Sequence, residues 1–322
     1  MLRPSTACAL LSFVLTGLAP IYWKQLHEVS SVQVSLHRIL WAFLLLFVVF
    51  VATQSTAAIH EIKTTPISWR FVGRHILSSF LLVASLYLTV AAVAASMILD
   101  LSLGLFLAPL VALLCQLVSQ RDAAALRHWQ WLSIALACVG VVADAIAARA
   151  FPAFPLSIAL TTGAYAYLKK TAANTSTNHS MKLVGETLEL GLASIPALVV
   201  LVMTDKSTLT FLHGLPWTTD VLLVGGGVVL TACPLLLLAQ TSAPDVAAIL
   251  AVLQFTTPVV QFVVGVVGYG EACGLARLAG FGLVWISLYL FTAYNTHSEK
   301  PKTPTTAANE KGSTYRSLEA TI

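Results

Sequence analysis

Apolar runs of about twenty residues follow one another along most of the chain, separated by short polar breaks. A helix rises about 1.5 Å per residue and the hydrocarbon layer is about 30 Å thick, so each run has the length needed to cross a bilayer. Ten runs fit, near 6–24, 32–52, 72–93, 95–118, 129–147, 152–168, 183–203, 218–239, 246–268 and 275–294. The third and fourth almost touch at Ala94–Ser96, which predicts a tight helical hairpin. The sixth is short and starts between Pro152 and Pro155. The first ends in Tyr22-Trp23-Lys24, an interfacial anchor without a small-x-small cleavage site, and so reads as a retained helix rather than a signal peptide. From His297 the apolar pattern stops, and 297–322 reads as a disordered cytoplasmic tail. The fold expected is an all-α integral membrane protein.

Composition removes the soluble alternative. Of 322 residues 57% are hydrophobic and 10% charged, against about 25% charged in soluble domains. The surplus apolar surface must face a lipid bilayer. A net charge of +4, with no basic and aromatic stripe, gives no reason to expect nucleic acid as a partner. The five cysteines lie in or beside apolar runs without metal-ligand spacing and read as small hydrophobes. HExxH, GxSxG and GxxxxGK[ST] are all missing from the sequence, so no metal, cofactor, enzymatic role or nucleotide-driven pump is expected. The run Gly225-Gly226-Gly227 reads as a place where helices pack closely.

Charge sets the orientation. With the N-terminus inside, thirteen of the eighteen lysines and arginines fall on the cytoplasmic side, and Lys24, Arg38, Arg149, Lys206 and Arg277 on the other. Both termini are therefore expected in the cytoplasm, with the plasma membrane as the location. The sequons at Asn174 and Asn178 then lie inside and should stay unmodified.

Ten spans divide into two halves of five, 1–149 and 150–296. An odd number per half inverts the second half in the membrane. Echoes between the halves agree: Tyr22-Trp23-Lys24 with Tyr167-Leu168-Lys169, and mid-span Pro109 with Pro258. Two inverted five-helix repeats are a common transporter plan, with the solute site near the midplane.

Charges inside hydrocarbon cost at least about 2.5–3.5 kcal/mol and mark the candidate site. His37, Arg38 and Trp41 lie in the second run. Arg38 either holds an anionic solute bidentately or reaches headgroups or a carboxylate as a structural group. Asp100 and Ser102 open the fourth run, as helix caps or as a proton or cation site. Glu186 pairs with Lys182 at the helix surface, or, if it faces the bundle, exchanges protons; Glu189 stands one turn on. Gln254, Thr256, Thr257 and Pro258 crowd the ninth run, where proline frees a carbonyl for a ligand or simply kinks the helix, as Pro109 would in the fourth. Tyr22, Trp23, Tyr165 and Tyr167 line a vestibule or belong to the interfacial belt. The expected substrate-binding set is Tyr22, Lys24, His37, Arg38, Trp41, Asp100, Ser102, Pro109, Tyr165, Glu186, Gln254, Thr256 and Pro258.

Gly17-Leu-Ala-Pro20-Ile-Tyr22-Trp-Lys24, then His37-Arg38-Ile-Leu-Trp41, resembles the opening of RarD-type permeases in the EamA branch of the drug/metabolite transporter superfamily. Further matches follow in order: Asp100-Leu-Ser102-Leu-Gly104 leading to Pro109, Tyr165-Ala-Tyr-Leu-Lys169-Lys170, Glu186-Thr187, Thr231-Ala-Cys-Pro234, Gln254-Phe-Thr-Thr-Pro258 and Tyr269-Gly270-Glu271. The resemblance implies ten helices, a five-plus-five inverted repeat, and export or exchange of small metabolites or drugs. It also implies a homodimer formed through the peripheral fifth and tenth helices. Departures from the family pattern are Ser119-Gln120-Arg121 for Gly-Glu-Arg, Asp100 for glutamate, Ala108 for asparagine, and Ala91, Ala92 and Ala94 for polar residues. The competing reading is a non-transporting membrane scaffold or receptor-like protein on a decayed transporter fold.

Overall fold

The computed structural model describes residues 4–53, 69–120, 128–173, 179–203, 216–239 and 247–298. Residues 299–322 of the expected tail, the two sequon asparagines and the turn at Arg121 lie outside them. Among the described residues the structure is helical and contains no strand. The helices are α1 (Pro4–Trp23), α2 (Ser31–Thr53), α3 (Trp69–Ala94), α4 (Ile98–Gln120), α5 (His128–Ala148), α6 (Ala153–Ala173), α7 (His179–Met203) and α8 (Trp217–Ala239). The short α9 (Ala247–Leu253), α10 (Thr256–Gly268) and α11 (Leu275–Ser298) complete the set.

Eight of these are long and apolar enough to span a membrane: α1 to α5, α7, α8 and α11. The sixth run forms a helix of 21 residues, but its serines, threonines and lysines keep it out of that group. The ninth run, expected as one helix, breaks at Gln254-Phe255. Pro258 explains the break: it lacks an N–H, and its ring crowds the carbonyl four residues back, that of Gln254. Pro109, by contrast, sits inside an unbroken α4.

The α3–α4 connection is the tight hairpin that the sequence predicts. Ser96 takes a left-handed φ of 58° while Met97 N–H donates to Ala92 O at 2.8 Å, a Schellman-type close. Arg149 (φ 52°) does the same between α5 and α6, with Ala150 N–H on Ala145 O at 3.2 Å.

Small residues let the helices approach. α5 packs on α11 through Gly140 and Gly280, where a Cβ on either would stand 2.7–2.8 Å from the other's carbonyl oxygen. α4 packs on α6 through Gly104 and Gly163. α2 packs on α7, α3 on α6 and α7, α8 on α1 and α2, and α10 on α1 and α4. α1 lies within this bundle: Ser12 Oγ donates to Pro234 O at 3.1 Å and Thr257 Oγ1 to Phe13 O at 2.9 Å.

Candidate solute site within the membrane

Arg38 is the central observation. It lies in the second turn of α2, 4% exposed, among α1, α3 and α8. Its Nε donates to Thr231 Oγ1 at 2.7 Å, its Nη1 reaches Leu86 O at 3.4 Å, and its Cζ stands 4.9 Å from the centre of the Trp23 ring. No carboxylate among the described residues comes within ion-pair distance of it. It is therefore enclosed by the helices rather than on their outer surface, and it pairs with no acid among the described residues.

Two local features make this setting. α8 loosens into a π turn over Val228–Ala232, which turns Thr231 toward Arg38; single π turns inside α-helices often mark functional sites. Upstream, the glycine triplet brings the aromatics in. A Cβ at Gly225 would run into the Tyr22 hydroxyl, one at Gly226 would meet the Trp23 ring at 2.6 Å, and one at Gly227 Trp41 Cβ at 2.6 Å and Arg38 O at 2.8 Å. Tyr22 donates to Leu222 O at 2.6 Å and sits edge-on to Trp23. Trp23 is buried under the guanidinium, not on the outer surface of the helices. His37 is buried beside Arg38 in sequence, and Trp41 is half-buried one turn further.

A second polar group lies nearer the opposite end. Glu189, 2% exposed on α7, takes Ser78 Oγ–H at 2.9 Å, Tyr165 O–H at 3.1 Å and Lys169 Nζ at 3.3 Å. His75 Nδ1 stands 3.4 Å from its Oε1. Glu186 binds Lys169 at 2.7 Å, and the Tyr165 hydroxyl reaches it at 3.3 Å. Glu186 thus pairs with Lys169 of α6, which the sequence reading did not expect; the expected pair with Lys182 rests on a side chain outside the described set. Sequence reading singled out Glu186, but Glu189 is the more buried. The signal was there, since Glu189, Ala193 and Ala197 recur every four residues on the buried stripe of α7.

The third group corrects the reading of Asp100 and Ser102 as caps. Glu271, after α10, caps α4 instead: its carboxylate accepts Ile98 N–H at 2.7 Å and Leu99 N–H at 2.8 Å. An acid at a helix N-terminus suits the positive end of the dipole. Asp100 bonds Arg277 Nη2, and Asp144 bonds Arg277 Nε at 2.9 Å, so one arginine ties α4, α5 and α11. Ser102 Oγ donates to Pro258 O at 2.8 Å, linking α4 to α10.

The remaining expected residues lie elsewhere. Lys24 donates to Ser96 Oγ at 2.6 Å and stands 5.6 Å from the Tyr269 ring. Gln254 is exposed at the α9–α10 break, Thr256 begins α10 half-buried, and Pro109 is half-buried within α4. The structure thus brings Tyr22, Arg38 and Trp41 together around α8, and Tyr165 with Glu186 around Lys169. It does not bring Gln254, Thr256 or Pro109 to either group through any contact described.

No family model matches the chain. An uncharacterized transporter of Vibrio cholerae is 28% identical over 88% of this chain and 90% of its own length. RarD of Escherichia coli is 26% identical over 90% of this chain and 94% of its own, and RarD of Streptomyces exfoliatus 28% over 86% and 84%. A solved crystal structure at 15% identity shares the fold, with a TM-score of 0.57 over 90% of this chain and 97% of that one. By sequence, then, the chain is a RarD-type permease homologue, a multi-pass membrane protein whose curated relatives carry the name RarD or transporter.

Proposed function

We propose that the chain is a secondary transporter in the drug/metabolite superfamily that moves a small organic anion by alternating access, as an exporter or exchanger. The observation that carries the reading is Arg38. A charged group at the bilayer centre costs at least about 2.5–3.5 kcal/mol. A desolvated cation–π contact returns about 2 kcal/mol and neutral hydrogen bonds about 1 kcal/mol each. The protein thus holds the guanidinium near balance with its remaining N–H donors open to a carboxylate or phosphate, which they match bidentately.

Support for two inverted five-helix repeats comes from the packing. Read α9 and α10 together as one span and exchange the halves, α1 with α6 and so on through α5 with α11. The α5–α11 and α2–α7 contacts map onto themselves, α4–α6 onto α10–α1, α3–α6 onto α8–α1, and α3–α7 onto α8–α2. The Arg38 group (α1, α2, α8) and the Glu189 group (α6, α7, α3) are then counterparts, one per half. Rocking of the halves would open each in turn. Both termini lie in the cytoplasm in this reading, with the plasma membrane as the site. The apolar faces that α5 and α11 turn outward, Val139, Val142 and Ile286 among them, suit a homodimer.

The test is accumulation of a mixed metabolite pool in sealed vesicles carrying wild type or Arg38→Ala. Saturable uptake of an anion by wild type, lost in the variant, supports transport and names the solute class. No difference from empty vesicles, with folded and inserted protein, favours the scaffold reading.

A further inference from the structure

The Glu189 group is unbalanced in charge, and the imbalance is opposite to that of Arg38. Two carboxylates, Glu186 and Glu189, share one lysine, Lys169. His75, 7% exposed, aims Nδ1 at Glu189 Oε1 from 3.4 Å, and that nitrogen has no hydrogen-bond partner. With a neutral imidazole, these described side chains carry one net negative charge between them. Arg38 carries one positive charge and no counter-anion among the described residues. The two are mounted on the same helix: Ser78 of α3 holds Glu189 and Leu86 of α3 holds Arg38, eight residues along, a rise of about 12 Å. Each is the other's counter-charge across the bundle.

An anion arriving at Arg38 removes that balance and leaves the Glu189 group with an uncompensated charge in a low-dielectric interior. The open imidazole nitrogen is placed to take a proton, which would turn the 3.4 Å approach to Glu189 into a charge-assisted hydrogen bond. The titratable group that meets His75 is Glu189 from α7, and those that meet Glu189 are Lys169 and Tyr165 from α6, which also hold Glu186. Arg74 on the helix of His75 lies over Phe71, and Asp100 of the adjoining α4 is bonded to Arg277. Resting on the anion-transport reading above, we infer that the His75–Glu189 pair binds one proton when Arg38 binds an anionic group, so that anion and proton cross together without net charge. The proton comes from water on one side and returns to water on the other.

At an effective dielectric of about 20, charges about 12 Å apart couple by about tenfold in affinity. The sign follows. A protonated group no longer repels the anion, so the anion binds about tenfold more tightly at low pH than at high pH. Two substitutions move this in opposite directions. Glu189→Gln leaves Glu186 and Lys169 balanced, giving tight binding at every pH. His75→Gln fixes the negative charge, giving weak binding over the same range.

The experiment uses the full chain in proteoliposomes loaded with a pH-sensitive dye, with a mixture of membrane-impermeant sugar monocarboxylates and phosphate diesters, each carrying a single negative charge, outside. Wild type should acidify the lumen as the anion enters, and clamping the membrane potential should not slow it. The two variants should lose the pH dependence of affinity at its opposite ends, with thermal unfolding unchanged enough to show folded protein. Anion entry without proton movement, or the same pH dependence in wild type and both variants, overturns the proton site and leaves anion transport standing. If folded wild type moves none of these anions, it is the solute reading that fails, and the coupling falls with it.

Discussion

Arg38 and Arg277 are both set within the apolar helices, yet Arg277 faces two carboxylates while Arg38 faces a hydroxyl, a carbonyl and an indole. Arg277 is satisfied by the protein itself. Its two acids come from α4 and α5 while it sits on α11, so its charge is spent on joining three helices. Arg38 is held by neutral partners that position the fork without neutralising it. Desolvation is common to both, and what differs is whether the counter-charge belongs to the fold or has to arrive.

Replacing each arginine should separate the two roles. The largest effect expected is on stability from Arg277→Ala, which strands Asp144, buried, beside Asp100. Removing one partner of a buried ion pair costs about 3–5 kcal/mol, and a clear fall in the thermal midpoint in detergent would be the readout. An unchanged midpoint would break the comparison. Arg38→Ala should leave that midpoint close to wild type or above it, since an unpaired buried charge is removed. Its loss should appear in anion binding instead, at about 1.5–3 kcal/mol for hydrogen bonds to a charged group, measured by equilibrium binding of the anion found in vesicles.

Finer tests probe what holds Arg38 in place. Gly227→Ala puts a Cβ 2.6 Å from that of Trp41 and 2.8 Å from Arg38 O. Overpacking of this kind costs about 1–3 kcal/mol, and binding should weaken with stability as α8 is pushed from α2. The smallest effect belongs to Glu271→Ala, which removes the acceptor for two N–H groups of α4. Loss of a helix cap costs about 1 kcal/mol, and it should lower the thermal midpoint without touching anion affinity.

The sequence carried the helices well because membrane helices announce themselves by length and hydropathy alone. Nine of the ten expected runs became single helices, and the ninth broke at a proline whose presence was plain but whose effect was not. Pro109 and Pro258 look alike in sequence; one sits inside an unbroken helix and the other follows a break, a difference that the local pattern does not signal. The site was legible where chemistry is local. Arg38 stands out as a cation in an apolar run, and Tyr22 and Trp41 stand near it. Thr231 was noticed only as part of a family match, because its role depends on a π turn that no local pattern signals. Arg277 was read as one more outer charge. Its acids lie 133 and 177 positions away in sequence, a pairing that only the fold creates. Glu271 was noticed as the end of a family match, and its service to the start of α4 is equally non-local.

The contact between Arg38 and Trp23 carries an optical consequence. An indole with a cation fixed 4.9 Å from its ring centre fluoresces in that cation's field. An anion that draws the guanidinium off the ring, or neutralises it in place, changes that field at once. Trp23 is thus a built-in indicator of occupancy, and the six other tryptophans of the chain can be replaced by phenylalanine to leave its emission alone. Titrating that single-tryptophan protein would report the filling of the site in detergent, with no label and no transport assay.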